Sequence, residues 1–399
     1  MSKRLNDAYI VSAVRTPVGR APRGMFKKVR PDDLLTHCLK GLLEKNPQLD
    51  PHDIDDVIAG CAVPEGEQGA DIARVAVLLA GYPESVPGAT VNRFCSSGLQ
   101  SIAQAADRIK VGEADIVIGA GVECMSVVPM YGIKPSFNPN VYNDEASAGM
   151  AVSMGISAEI IAKEYNITRE EQDQFALRSH QNALAAIAKG EFKDEILPYE
   201  ISLSVPDTET EEVRVIKRTV DTDEGPRADT SLEVLAKLRP AFDAKGTVTA
   251  GNSSQMSDGA AAVLLCSERA MKKYGFEPMA RFVSYSVAAV KPELFSLGPV
   301  KAVPKVLAYS GLKLEDFGWI ELNEAFASQA LTCIRELGLD LDKVNRLGGA
   351  IALGHPLGAT GSKLTATTVH AMRRHSIKYG LVTMCVGFGM GAAGVFELT

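Results

Sequence analysis

Short runs of β-branched and other apolar residues alternate along the chain with amphipathic helical stretches, the pattern of an α/β fold. Residues 8–14 read as a first strand, and 115–121, Asp-Ile-Val-Ile-Gly-Ala-Gly, as a fully buried one. The second follows a helical stretch over 98–110 whose Leu99, Ile102, Ala103, Ala106 and Ile109 share one face. Near the far end, residues 362–375 carry a helical pattern and 381–385 another buried strand.

The pattern repeats. Residues 49–121 run as acidic turn, strand, loop, helix, a turn at Cys95, helix and glycine-ended strand. Residues 312–389 run as acidic turn, strand, a loop at Asn323, helix, a turn at His355, helix and glycine-ended strand. Each half sets a reactive residue just ahead of a helix, which predicts two pseudo-symmetric units with a site between them. Residues 126–247 differ: they are polar and turn-rich, with a helix at 170–189 and a charged stretch at 206–231. They read as an excursion that covers something.

A length of 399 residues implies two or three structural units, and the net charge of −7 argues against a nucleic-acid partner. Seven cysteines, an odd number with no C-x-x-C pair, argue against a disulfide framework or a zinc site and for a reducing compartment. No apolar leader precedes the first strand, the final residues are not a peroxisomal address, and no apolar run approaches a membrane span. A cytoplasmic protein is expected.

Cys95 lies in Val-Asn-Arg-Phe-Cys-Ser-Ser-Gly, where a strand gives way to a helix. Free cysteines usually fill cores, but helix-terminal N–H groups favour a thiolate, and the Ser-Ser-Gly turn argues for a nucleophile. His355 sits in Gly-His-Pro-Leu-Gly-Ala-Thr-Gly, whose glycines let backbone approach a ligand. His37, His52, His180, His370 and His375 fall on helical patterns or acidic turns, so His355 is the candidate base. Cys385 ends an apolar strand and would alone pass for core. Gly387, Gly389, Gly391 and Gly394 follow it and expose N–H groups suited to an oxyanion hole. Cys38, Cys61, Cys124, Cys266 and Cys333 read as core. The G-x-G-x-x-G at 389–394 is accidental as a dinucleotide fingerprint, with no helix, strand and acid to follow. Asn323, at a strand end, is a turn former that can also hold a carbonyl-polarising water if it faces the cysteines.

Taken together, the Cys95 turn, Thr-Ala-Gly-Asn-Ser-Ser-Gln at 249–255, Asn-Glu-Ala-Phe at 323–326, the His355 turn and the Cys385 glycine run resemble the thiolase family over essentially the whole chain. The resemblance implies a five-layered α-β-α-β-α fold of two βαβαβαββ halves with an inserted loop domain. The N-terminal half would comprise 1–125 plus 256–278, the insert 126–255, and the C-terminal half 279–399. By the same resemblance, Cys95 would take the acyl group and His355 would activate it. Asn323 with His355 would form one oxyanion hole, the N–H groups of Cys95 and Gly387 a second, and Cys385 would move the α-proton. Met154 and Ser254 would line the pantetheine path of coenzyme A, a co-substrate, with Arg227 near its nucleotide. No metal or permanently bound cofactor is implied.

Ser153-Met154-Gly155 and Asn252-Ser253-Ser254-Gln255 resemble degradative 3-ketoacyl-CoA thiolases, acting in fatty-acid β-oxidation, more than biosynthetic acetoacetyl-CoA enzymes. Arg346, in a usual proline position, and Phe388, where small residues are common, depart from the pattern. Phe388 would narrow the acyl pocket. A β-ketoacyl synthase-like enzyme would lack Cys385, and a non-catalytic lipid carrier would lack Cys95 or His355. Family analogy implies a homodimer or homotetramer and leaves a hydratase/dehydrogenase partner open.

Overall fold

The computed structural model describes residues 5–206 and 209–399. The chain begins with β1 (Ala8–Arg15), β2 (Gly19–Arg20), α1 (Pro31–Lys45), β3 (Asp56–Gly60), α2 (Ile72–Leu79), β4 (Gly88–Val91), α3 (Ser97–Lys110) and β5 (Ile116–Cys124). An excursion follows, with α4 (Glu145–Ala148), α5 (Met154–Glu164), α6 (Arg169–Lys189), the strands β6 (Tyr199–Pro206) and β7 (Val213–Val220), and α7 (Leu232–Ala236). The chain then returns through β8 (Ser257–Ser267), α8 (Glu268–Tyr274), β9 (Ala280–Ala289), α9 (Gly298–Ser310), β10 (Trp319–Leu322) and α10 (Ala327–Leu337). It closes with α11 (Ala350–Leu353), α12 (Leu357–His375), β11 (Tyr379–Val386) and β12 (Met390–Leu398).

Strand pairing reproduces the repeat. The order β4-β3-β5-β8-β1 is followed by β9-β12-β11-β10. The parallel β3–β5 pair and antiparallel β5–β8 and β8–β1 pairs have counterparts in parallel β10–β11 and antiparallel β11–β12 and β12–β9. Where β4 lies beside β3, the second half keeps a single parallel bridge, Ile320 to Val344. The two sheets meet at a narrow seam, Tyr9 with Arg281 and Ile10 with Ala280.

Three apolar clusters give five layers. α1 and α2 cover the outer face of the first sheet, and α9 and α10 that of the second. Between the sheets, α3 and α12 pack against both, through Ile58, Val117 and Val263 on one side and Val382, Met384 and Ala392 on the other. The expected apolar face of α3 is buried, and so are Ser101 and Ala105 on its other side, because the helix is packed between layers; Asp107, near its far end, is exposed.

Local signals explain several helix boundaries. α6 starts at Arg169 because Thr168 and Glu171 form a capping box, and it stops at Gly190 in the left-handed region. α12 starts five residues earlier than its pattern suggests. Pro356 takes the N-cap position, and close packing overrides the poor helix propensity of Gly358 and Gly361. The charged stretch at 206–231 contains β7, which pairs throughout its length with β6 as a separate ribbon. Val213, Val215, Ile216 and Val220 favour that extended form.

α3 and α12 cross without room for side chains. A methyl at Gly98 would stand 2.7 Å from the Ser362 nitrogen, one at Gly121 2.7 Å from Ser362 Oγ, and one at Gly361 would drive into the Leu99 backbone. Gly361→Ala should therefore destabilise the fold by about 2 kcal/mol or more, as overpacking does. Its urea midpoint should fall well below the parent's; an unchanged midpoint would mean that the crossing has slack.

Candidate active site

After β4 the backbone turns sharply into α3. Asn92 accepts the Phe94 N–H at 2.8 Å and donates to the Ala62 carbonyl at 3.0 Å. Ser97 Oγ accepts the Arg93 N–H at 2.8 Å and donates to the Phe94 carbonyl at 2.7 Å. These bonds hold Phe94 at φ 43°, an uncommon conformation for a bulky residue, and carry the chain into a single 3₁₀ turn containing Cys95. Cys95 is only 3% exposed. Burial pushes its thiol up to about 12, against hydrogen bonds from the N–H groups of Gly387 and of Cys95 itself. This corrects the expectation of a ready thiolate: desolvation outweighs the helix end, and the resting group is a neutral thiol.

Cys385 is the penultimate residue of β11, opposite Gly391 of β12. Its thiol is raised well above the ordinary value by burial and next by the adjacent Cys95. Met154, at the start of α5, packs in the same cluster as Cys385 and Phe326, and a methyl at Gly387 would come within 3.3 Å of its Cε. Phe388 follows at φ 62°. Its ring meets Phe94 edge-on at 5.0 Å and Phe137 at 6.1 Å, so an aromatic track leads from the exposed Phe137 to the Cys95 turn.

His355 enters through Gly354 at φ 86°. Its N–H donates to Ser257 Oγ at 3.0 Å, Nδ1 lies 2.6 Å from Thr360 Oγ1, and Nε2 lies 3.4 Å from Asn323 Nδ2. Burial pulls its pKa down to about 3, assisted by the charge of Lys363, so the ring is neutral. Leu357 joins the apolar cluster that holds Cys95. Asn323 Oδ1 is buried with no hydrogen-bond partner, an arrangement that can receive a small donor such as water. Beside it, Glu324 accepts from Ser179, Asn345 and the Ile351 N–H, stapling α11 to the Asn323 loop.

The structure thus gathers Cys95, Cys385, Gly387 and Met154, and sets Asn323 against His355. Ser254, half-buried, donates its N–H to the Ala325 carbonyl at 2.9 Å. Arg227 is exposed on the excursion, its N–H donating to His180 Nδ1 at 3.2 Å. Arg346 lays its guanidinium 5.0 Å above the Trp319 ring, a packing role that accounts for the departure noted there.

Glu123 escaped the sequence reading. It accepts from the Ala62 N–H and the Gly358 N–H, both at 2.8 Å, and from Gln68 Nε2 at 2.6 Å, tying the strand that follows α3 to the start of α12. Its signal was an acid inside an otherwise apolar buried strand. A second buried group also went unseen: Arg15 pairs with Glu195 at 2.6 Å and Asp223 at 2.7 Å, close to Lys363 and Glu321.

Comparison with known proteins agrees with this arrangement. Residues 8–269 match the family described as "Thiolase, N-terminal domain" and residues 276–398 "Thiolase, C-terminal domain". The chain belongs to the thiolase family. It is similar to a 3-ketoacyl-CoA thiolase of Bacillus subtilis (strain 168), 52% identical over 99% of this chain and 100% of the relative. It is also similar to the peroxisomal 3-ketoacyl-CoA thiolase 1 of Arabidopsis thaliana, 46% identical over 98% and 88%. Human mitochondrial 3-ketoacyl-CoA thiolase and the Bacillus anthracis acetyl-CoA acetyltransferase superpose on it over the full length of both chains. Each gives a TM-score of 0.89, at 38% and 39% identity. The thiolase fold expected from the sequence is therefore borne out. Among the described residues, no group of three or more His, Cys, Asp or Glu could hold a metal ion, and no helix is long and apolar enough to cross a membrane.

Glu321 provides a test of the buried charges. It is buried, it accepts the Trp319 indole N–H at 2.8 Å, and burial raises its pKa from 4.5 to about 8. The folded protein therefore holds a proton that unfolding releases at intermediate pH. This stabilisation is complete below pH 4.5 and is lost as pH rises through about 8. Glu321→Gln carries no such proton, so its stability relative to the parent should climb between about pH 5 and about pH 8 in urea titrations. A pH-independent difference would show Glu321 ionised in the fold.

Proposed function

We propose that the protein cleaves 3-ketoacyl-CoA with coenzyme A to acetyl-CoA and a shortened acyl-CoA, through an acyl-enzyme on Cys95, in fatty-acid β-oxidation. The observation that carries this reading is the second thiol: Cys385 stands beside Cys95, with the Gly387 N–H directed at the Cys95 sulfur. Two neutral thiols and a neutral imidazole suit a reaction that moves two protons in turn. His355 takes the Cys95 proton, and the sulfur attacks the keto carbon. The Cα–Cβ bond breaks, and Cys385 gives its proton to the departing acetyl-CoA enolate. Cys385 then takes the proton of an incoming coenzyme A thiol, which attacks the acyl-enzyme, and His355 returns its proton to Cys95. The N–H groups of Cys95 and Gly387 stabilise one oxyanion, and His355 with an Asn323-held water stabilises the other.

Residues 126–255 form the insert over the coenzyme A site in this reading, flanked by halves 1–125 plus 256–278 and 279–399. Met154 and Ser254 line the pantetheine path, and Arg227 meets the nucleotide end. The chain works as a cytoplasmic homo-oligomer; the edge strand β4 and the exposed Leu78 and Leu79 on neighbouring α2 support association. The likeness to an acetyl-CoA acetyltransferase favours one second reading, net condensation of two acetyl units, which thiolysis and condensation rates on one preparation would separate.

Cys385→Ala should still exchange acyl groups between Cys95 and coenzyme A thioesters while losing both thiolysis and deuterium exchange at the acetyl methyl group. If acyl exchange and thiolysis fall by similar factors, the division of labour is wrong. Arg227→Ala should raise the KM for coenzyme A with little change in kcat; an unaltered KM removes Arg227 from the site.

A further inference from the structure

Neutral imidazole carries one N–H and one lone pair, and the group facing one nitrogen decides which atom holds the proton. In His355 the two nitrogens have different neighbours. Nε2 looks toward Asn323 at 3.4 Å, and Nδ1 lies 2.6 Å from Thr360 Oγ1, all of them buried. Only a ring protonated on Nδ1 leaves Nε2 free to accept a proton on the side of Asn323.

Other threonines of the buried helices use their hydroxyls differently. Thr365 donates to the Gly361 carbonyl and Thr332 to the Ser328 carbonyl, each at 2.8 Å and four residues back. Thr360, in the first turn of α12, instead meets the imidazole that precedes its own helix. The helix holding the hydroxyl is itself held by Glu123 at the Gly358 N–H and by the glycine crossing with α3. The oxygen is therefore a fixed feature of the site.

We propose that Thr360 is a positioning residue whose oxygen accepts the Nδ1–H of His355 and thereby keeps Nε2 bare as the base. The proposal rests on the reading of His355 as the base for Cys95. A hydroxyl here has a distinct chemical consequence. A carboxylate at the same place would orient the ring and also stabilise imidazolium; a hydroxyl can accept the Nδ1–H without adding charge, and the Asn323 Nδ2 donor 3.4 Å from Nε2 selects that same tautomer. The protonated ring gains no ionic partner from the hydroxyl, so the proton taken from Cys95 is readily returned.

The test compares Thr360→Val, which keeps the shape and loses the oxygen, with Thr360→Ser, which keeps the oxygen. Each is measured for the rate of Cys95 acylation by acetyl-CoA across pH, for the KM of coenzyme A, and for ring tautomer by ¹⁵N-histidine NMR. Thr360→Val should slow acylation about tenfold or more, as loss of a group that orients a histidine does, shift the Nδ1–H signal, and leave the KM unchanged. Thr360→Ser should stay within a few-fold of the parent. The proposal is overturned if the valine variant acylates at the parental rate, or if the serine variant falls as far as the valine one, which would make the methyl group's packing the cause. His355→Ala, run alongside, separates the two levels. If that variant still acylates normally, the base assignment itself fails. If it is inactive while Thr360→Val is not, only Thr360 loses its role.

Discussion

Everything in this molecule is arranged around the contact between two helices that have almost no side chains where they cross. Gly98 and Gly361 let the backbones of α3 and α12 meet, and Gly121 opens the adjoining strand to the same contact. The helices begin just after Cys95 and His355, so the separation of the helices fixes the relation between the two turns. A side chain at the crossing would wedge the two halves apart and shift both turns together. Glu123 reinforces the contact by bonding the Gly358 N–H on one side and the Ala62 N–H on the other.

Desolvation sets the charge state of the interior. A central layer closed by two sheets removes water from thiols, imidazole and carboxyl groups alike, and each moves toward its neutral form: Cys95 and Cys385 upward, His355 downward, Glu123, Glu321 and Glu324 upward. Charge survives inside only where it is matched at short range, as at Arg15 between Glu195 and Asp223. A cluster of neutral groups pays little standing electrostatic cost.

Much of this was legible in the sequence because local pattern and global fold agree. The repeat, the strand before Asn323, the buried strands of 115–121 and 381–385 and the turns at Cys95 and His355 all follow from periodicity and glycine placement. What stayed hidden has a common cause: it depends on contacts between distant segments. The early start of α12 rests on packing against α3, which Gly358 and Gly361 alone would not suggest. Strand β7 lay inside a stretch whose charge masked its β-branched residues, and its partner β6 lay just ahead of that stretch. Glu123 and Arg15 draw their meaning from partners elsewhere in the chain. The expectation for Cys95 failed because a helix terminus can be read from sequence and the depth of burial cannot.

The position of β8 has a consequence for how the chain is made. This strand lies between β1 and β5 and is paired on both sides, yet the whole excursion separates it from β5 in sequence. During synthesis the first half therefore emerges with a gap in the middle of its sheet, and it stays open until the residues of β8 leave the ribosome. The Cys95 half is unfinished through all of that interval, with β1 unpaired and one edge of β5 open to chaperones or to a neighbouring nascent chain, although β5 can already pair with β3. Long-range closure of this kind is slow to find, so yield in the cell depends on how rapidly the excursion condenses and delivers β8 to its slot.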